Sequence, residues 1–341
     1  MFIAAGSSVC NKTDHKIAKL LPRLLSYYHI TDKGFGYSLW KFIMKNKKNK
    51  VNLFLDSGAF SAWSQGAEID INEYIDFIKK NKKYIDVYAN LDAIGDPDKT
   101  LANQRIMEKA GLRPLPCFHY GEPIKYLKTY LKDYDYIALG GMVPISTKDL
   151  KPWLDDLFVN HLCDKKGNPI VKIHGFGMTA LSLMLRYPWW SVDSTSWVVT
   201  GRMGGILIPR RTNGKYDYNK NPLKVTVSAK SPANKKKEAH FSTSSPAQQR
   251  IFRKYFEAKG FELGESTFRK EDPKTYEPKE NEKWNKKKES IIETVIKRGL
   301  CNDYRLRDEL NILYFLDLEK KLPTWPWKFK LKGRMKGFFE K

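Results

Sequence analysis

Val51-Asn52-Leu53-Phe54-Leu55-Asp56-Ser57-Gly58-Ala59-Phe60 is an apolar run that stops on an acid and passes at once into small residues. A run without polar alternation predicts a strand covered on both faces, as in a parallel sheet. The same shape recurs along the chain. Ile85–Leu91 reads as a strand ending at Asp92, and Leu112–Phe118 as a strand broken by prolines before His119. Tyr136–Leu139 runs into Gly140-Gly141-Met142, Ile170–Ile173 into His174-Gly175-Phe176-Gly177, and Trp189–Val192 into Asp193. Phe2–Ala5 at the start and Gly205–Ile208, stopped by Pro209, complete about eight strand candidates.

Helical patterns lie between most of them. Ile71–Lys80 places Ile71, Tyr74, Ile75 and Ile78 on one face. Pro97–Ala110 follows Asp96 as its N-cap, and Pro123–Tyr130, Thr147–Leu162 and Ala180–Tyr187 follow in turn. Ile17–Leu21 with Leu24-Leu25 also shows helical spacing, interrupted by Pro22, and Lys33-Gly34-Phe35-Gly36 marks a loop. Eight strands alternating with helices predict an α/β fold, a (β/α)8 TIM-like barrel, over residues 1–210. The doubly wound sheet is the alternative, but the first strand–helix turn has no G-x-G-x-x-G. In a barrel the residues after the strands, Asp56, Asp92, His119, Gly140, Gly141, His174 and Asp193, share one face.

Residues 211–341 differ in character. From Arg211 onward there are 32 Lys and Arg against 18 Asp and Glu, more than half of the formal +23 of the 341 residues. The pattern predicts a basic, mostly helical C-terminal region that binds nucleic acid and packs on the barrel. Its helices are read at Gln248–Lys259, Ser290–Lys297 and Leu310–Leu322, its one strand at Val225–Val227. The tail Trp325-Pro326-Trp327-Lys328-Phe329 reads as a chain end packed on the body. A pI near 9.6 favours a polyanion partner, nucleic acid ahead of a membrane surface. No apolar run reaches the roughly 18 residues of a membrane helix, and no signal peptide is apparent. A cytoplasmic location is expected.

Cys10, Cys117, Cys163 and Cys301 are far apart and form no C-x-x-C pair, so no zinc or redox motif is signalled and no cofactor is expected. His119 and His174 follow different strands without metal-ligand spacing and read as hydrogen-bonding or stacking residues. Two carboxylates at strand ends suit glycosyl chemistry, one attacking an anomeric carbon and the other moving protons. Metal-assisted hydrolysis competes. A serine nucleophile lacks its G-x-S-x-G setting at Ser57 and Ser194.

Four motifs, in order, resemble those of the tRNA-guanine transglycosylase superfamily. Asp56-Ser57-Gly58-Ala59-Phe60 is similar to its D-S-G-G-[YF], and Leu139-Gly140-Gly141-Met142 to its G-G-L turn. Gly175-Phe176-Gly177 resembles its G-V-G loop, and Asp193 through Thr200-Gly201-Arg202 its nucleophile segment with S-G-R. The match spans roughly residues 50–210. The resemblance implies a barrel enzyme that exchanges guanine in nucleic acid for a free 7-deazaguanine base, with Asp193 as nucleophile and Asp56 as general acid and base. It further implies that Phe60, Asp92, Gly140, Gly141, Met142, His174 and Gly175 bind the base, Phe60 and His174 flanking its ring. Arg202 would hold a phosphate.

Departures from the family pattern point to the polymer. Ala59 replaces the second glycine, Ser61 a usual glutamine, and Asp92-Ala93-Ile94 the family's D-E-C. Val199 stands where an RNA-contacting arginine is usual, and the C-x-C-x-x-C zinc module is absent. A basic segment with Arg210, Arg211 and Lys235, Lys236 and Lys237 takes its place as the expected nucleic-acid contact. The pattern is more like the DNA-directed branch, the DpdA-type guanine transglycosylases of phages and bacterial DNA-modification clusters. DNA, duplex or locally opened, is therefore the expected partner. A tRNA enzyme and a non-catalytic DNA-binding barrel are the alternatives.

Overall fold

The computed structural model describes residues 1–4, 22–31, 37, 40, 41, 44, 45, 52–231, 240–272, 274–284 and 291–330. The expected helix at residues 17–21, the 33–36 loop and Lys235, Lys236 and Lys237 lie outside them.

The described residues form two compact units, residues 1–195 with 322–341, and residues 196–321. The first is a mixed α/β unit built on one eight-stranded parallel sheet. Its strands are β1 (Phe2–Ala4), β2 (Arg23–Ser26), β3 (Leu53–Asp56), β4 (Val87–Tyr88), β5 (Cys117–His119), β6 (Tyr136–Gly140), β7 (Lys172–Gly175) and β8 (Ser191–Ser194). Their spatial order is β4-β3-β2-β1-β8-β7-β6-β5. Asp56 is the last residue of β3 and Asp193 the last but one of β8, so both acids stand towards the carboxyl ends of their strands; the register staggers them, Asp193 pairing with Phe2 at the start of β1 and Asp56 with Ser26 at the end of β2. Leu53, Phe54 and Leu55 in β3, and Ile137, Ala138 and Leu139 in β6, are all fully buried, as continuous apolar strands should be. Beyond the two outer strands, Ala89 bridges Leu115 in parallel, with Leu115 N–H donating to Tyr88 O and Asn90 N–H to Leu115 O.

Short helices follow the strands. They are α1 (Tyr27–Thr31), α2 (Ala59–Ser64), α3 (Ile71–Asn81), α4 (Pro97–Lys109), α5 (Ile124–Asp133), α6 (Thr147–Leu157) and α7 (Leu181–Arg186). Their boundaries follow local chemistry. Asp70 Oδ1 accepts from the N–H groups of Asn72 (2.7 Å) and Glu73 (3.1 Å) and starts α3, whose buried Tyr74, Ile75 and Ile78 face the sheet side. Tyr74 then donates its hydroxyl to Ala89 O at 2.9 Å, tying the helix to the edge beyond β4. Asp96 caps α4 through Lys99 N–H, and Pro97 takes the first turn, where its missing N–H costs nothing.

Two sheet members differ from the sequence reading. Leu24-Leu25, expected in a helix, lies in β2, where Pro22 precludes a helix running through it and both leucines are buried. Gly205–Ile208, counted among the eight strands, belongs instead to the second unit.

That second unit opens with α8 (Ser196–Arg202). β9 (Gly205–Ile208) follows, with the hairpin β10 (Arg210–Thr212) and β11 (Lys215–Asp217), then β12 (Leu223–Thr226), antiparallel to β9. Asn213 and Gly214 turn the hairpin with φ of 51° and 78°, the left-handed pair that a two-residue turn requires. After α9 (Pro246–Ala258), β13 (Glu265–Lys270), β14 (Glu282–Lys283) and β15 (Ile291–Lys297) make an antiparallel sheet, and α10 (Tyr304–Glu319) closes the unit. Ser290–Lys297, read as a helix, is largely strand. Its apolar spacing fits either period, and its β-branched Ile291, Ile292, Val295 and Ile296 favour the extended chain. The region is thus a mixture of strand and helix, not mostly helical, and the unit boundary falls at 195/196 where the sequence suggested 210/211. Asn311 is buried at its centre and fully used: its amide donates to Trp197 O and Gly205 O and accepts from Leu207 N–H.

The tail returns to the first unit. Trp325 meets Trp190 edge-on at 4.9 Å, Phe329 packs on Tyr187 and Phe158, and Phe329 N–H donates to Gly167 O. No helix of the described residues is long and apolar enough to cross a membrane.

Candidate active site

The segments that follow β3 to β7 line a cavity of about 700 Å³, within the size range of small-molecule sites. Its wall includes Asp56, Phe60 and Trp63 from the β3 end, Asp92, His119 and Glu122, and the Gly140–Ile145 turn. Phe176 and Gly177 complete it.

Asp56 closes β3 and enters a turn only glycine can make. Gly58 has φ +82°, and a Cβ there would lie 2.3 Å from Ser26 Oγ and 2.6 Å from Tyr28 Cβ. The turn brings Gly58 N–H to Asp56 Oδ2 at 3.1 Å. Burial pushes the Asp56 carboxyl up from an ordinary 3.8 to about 7, helped by the charges of Asp92 and Asp193, while the backbone N–H groups of Gly58 and Ser57 offset part of the rise. A carboxyl set near neutrality can both give and take a proton.

Asp193, in β8, is 7% exposed and is not among the residues that line the cavity. Its Oδ1 accepts from Gly177 N–H at 2.7 Å and lies 3.5 Å from His174 Nε2. Asp193 Oδ2 has no hydrogen bond among the described residues. His174 is fully buried, so it does not flank a ligand in the cavity; it packs between Phe54 and Phe176, each 4.6 Å away by ring centroid. Burial lowers the proton affinity of the ring against the pull of Asp193, leaving the neutral imidazole favoured. A chain of contacts runs inward from it: His174 Nδ1 to Ser191 Oγ at 2.7 Å, and Ser191 Oγ to the Tyr136 hydroxyl at 2.7 Å. With Tyr136 donating to Ser191 and Ser191 donating to Nδ1, the imidazole proton sits on Nε2 and faces Asp193.

Gly140 and Gly141 have packing reasons of their own. A Cβ at Gly140 would meet Cys117 Sγ at 2.7 Å and His119 Cδ2 at 2.8 Å, and Gly141 has φ +66°. Gly140 O is taken by Tyr120 N–H at 3.0 Å. Both glycines and buried Met142 nevertheless line the cavity. Gly175 does not: a Cβ there would press on Trp189, and Gly177 and Phe176 occupy the wall in its stead.

Phe60 is 59% exposed and Trp63 60%, their rings 5.9 Å apart, an aromatic pair presented to solvent beside the cavity. Asp92 Oδ2 contacts His119 Nε2 at 3.2 Å, and Asp92 Oδ1 is buried without a hydrogen-bond partner among the described residues. Trp63, Glu122, Cys117, Phe176 and Gly177 were not singled out from sequence as site residues. For Glu122 the signal was its place three residues after His119; for Gly177 it was the second glycine of Gly175-Phe176-Gly177.

The expected phosphate contacts stand in the second unit. Arg202 is exposed at the end of α8. Arg210 and Arg211 are exposed on β10, and their guanidinium groups donate to the carbonyls of Asn221 and Gly214. Gly201, part of the segment read with the nucleophile, is a crossing point of α8 and α10, where a Cβ would lie 2.0 Å from Asp308 Oδ1. No protein-family model matches the chain, and no curated protein shows significant similarity to it.

Proposed function

We propose that this chain is a DNA guanine transglycosylase that exchanges guanine for a 7-deazaguanine base through a covalent aspartyl intermediate. The observation that carries the reading is the buried, raised carboxyl of Asp56, which feels the charge of a second strand-end carboxylate, Asp193. Burial first, and then the charges of Asp92 and Asp193, raise the Asp56 carboxyl to about 7, while Asp193 is fixed at one oxygen by Gly177 N–H. A carboxyl raised to near neutrality suits the acid–base role, which leaves the nucleophile's role to Asp193.

In this mechanism Asp193 attacks C1′ of the deoxyribose and the bond from C1′ to the guanine nitrogen breaks. The Asp56 carboxyl gives its proton to the departing base. The incoming deazaguanine then loses its ring N–H proton to the Asp56 carboxylate and attacks C1′, and the ester to Asp193 breaks. Atoms and charge return to their starting state. Asp92, through Oδ1, accepts from the base's N–H groups, the Gly140–Met142 turn borders its carbonyl, and Phe60 and Trp63 stack on it or on its neighbour. The target guanine lies in a duplex stack, so it is flipped out or met in opened DNA. The formal charge of +23 supports backbone binding that weakens steeply with salt.

The reading includes a closed (β/α)8-type barrel. The strand order supports it, with consecutive strands adjacent throughout, and so does the parallel bridge from Ala89 to Leu115 joining the sequence neighbours β4 and β5.

Labelled guanine incubated with the protein and either duplex DNA or bulk tRNA tests the proposal. Label enters DNA, and Asp193→Asn abolishes incorporation while DNA binding persists. Label in tRNA alone would replace DNA with tRNA as the polymer; DNA binding without incorporation into either, with a 7-deazaguanine base also offered, would make the chain a binding protein.

A further inference from the structure

His119 has carboxylates on both ring nitrogens. Nδ1 lies 3.1 Å from Glu122 Oε1 and Nε2 lies 3.2 Å from Asp92 Oδ2. A neutral imidazole carries one N–H, so in that state one of these contacts sets lone pair against lone pair. Glu122 fixes which one. Its other oxygen accepts the backbone N–H of His119 at 2.9 Å, so the carboxylate is locked on the Nδ1 side and takes the ring proton there. The Nε2 lone pair then points at Asp92, and a positive centre is needed between them.

A proton could fill that place, but the third neighbour favours a metal ion. Cys117 precedes His119 by two residues on β5, so both side chains leave the same face of the strand. Cys117 Sγ, a His119 ring nitrogen and an Asp92 carboxylate oxygen all lie within 4.8 Å of one another. The 3.2 Å between Nε2 and Oδ2 is also what two ligands about 2.0–2.1 Å from one tetrahedral ion present. The carboxylate behind Nδ1 is the partner that metal-bound histidines usually have, since it fixes the tautomer and leaves Nε2 as donor atom.

We propose that Asp92, Cys117 and His119 form a three-ligand site for a divalent transition metal of the zinc class, with Glu122 orienting His119 and the fourth position on the cavity side. Thiolate, imidazole and carboxylate together suit zinc or cobalt and disfavour magnesium or calcium. Asp92, His119 and Glu122 line the cavity, so a bound ion faces whatever the cavity holds. Binding replaces the Cys117 S–H bond with a metal–sulfur bond and releases the proton to solvent, so affinity rises with pH. Gly140 belongs to the same construction, because a side chain there would press on Cys117 Sγ and on the His119 ring. The site does not depend on base exchange being the reaction.

The test is a cobalt(II) titration of the full chain after metal stripping. Expected are one equivalent bound, a sulfur-to-cobalt charge-transfer band in the near ultraviolet, tetrahedral visible bands, and displacement of both by zinc. Cys117→Ser removes the charge-transfer band, and Glu122→Gln weakens binding roughly 10–100-fold. Cys163→Ser and Asp56→Asn leave the spectrum unchanged. Circular dichroism confirms that each variant folds; should Cys117→Ser not fold, the Glu122→Gln affinity carries the test. Folded wild-type protein giving no cobalt spectrum, or a charge-transfer band surviving Cys117→Ser, overturns the site and leaves His119 an imidazolium between two carboxylates.

Discussion

Asp56 gives a quantitative handle that needs no substrate. Its carboxyl is raised from 3.8 to about 7, with burial the first cause and the charges of Asp92 and Asp193 next. Each tenfold change in proton affinity is worth about 1.4 kcal/mol, so ionising Asp56 in the folded protein costs about 4 kcal/mol more than in the unfolded chain. The sign follows from linkage: a folded-state value above the unfolded one means that the native state holds the proton more tightly. The stabilisation is therefore fully present below about pH 4 and is lost as pH rises through about 7. Asp56→Asn keeps the shape and removes the charge. By urea denaturation, the variant should gain on wild type between pH 4 and pH 8, by up to about 4 kcal/mol, with no gain at the acid end. A difference between the two proteins that stays constant from pH 4 to 8 would refute the raised carboxyl and the neutral-pH acid–base role with it.

Other outcomes follow from single contacts. Gly58→Ala should cost about 2–5 kcal/mol of stability, because it combines an unfavourable positive φ with a Cβ forced against Ser26 and Tyr28; Gly66→Ala, at φ +66° with nothing within 4 Å, should cost only about 1–2 kcal/mol, and equal losses in thermal melts would contradict the close approach. Ser191→Ala strands both the Tyr136 hydroxyl and His174 Nδ1 and should cost about 2–3 kcal/mol, whereas Tyr136→Phe, which leaves the Ser191–His174 contact in place, should cost about 1 kcal/mol; chemical denaturation of the pair checks the order. Phe60→Ala and Trp63→Ala should leave folding unchanged, since both rings are more than half exposed. Each should weaken binding of single-stranded DNA by about 1–3 kcal/mol in fluorescence anisotropy; unchanged affinity would take these rings out of the interface.

The parallel core was legible because its strands are unbroken apolar runs, and the acids at their ends were legible because a charge directly after such a run must lie at the sheet's edge. The count of eight came out, but with one member exchanged. β2 is short, and the leucines ahead of Pro22 share a helical spacing with Leu24-Leu25. Gly205–Ile208 is as apolar as any sheet strand, and composition does not say which sheet an apolar strand joins. His174 shows a second limit. Position after a strand predicts nearness to the site, yet whether a ring faces the cavity or the layer beneath depends on neighbours such as Phe54 and Phe176, which pack against it from β3 and the β7 turn. Cys117 has no C-x-x-C partner, but that spacing concerns neighbours in sequence; its neighbours in space, Asp92 and His119, come from the loop after β4 and from its own strand.

The route of the chain through its two units has an energetic consequence. The polypeptide leaves the first unit at Thr195 and re-enters it at Leu322, so the second unit is an insert joined at both ends. Folded, the insert is a compact link between Thr195 and Leu322. Unfolded, it becomes a long flexible loop that the first unit must close on its own, and each doubling of such a loop costs about 0.6 kcal/mol in entropy. The stabilities of the two units are thus linked through the backbone itself, without any contact between them being required. A deletion or a Pro substitution that melts the insert should lower the melting temperature of the eight-stranded sheet.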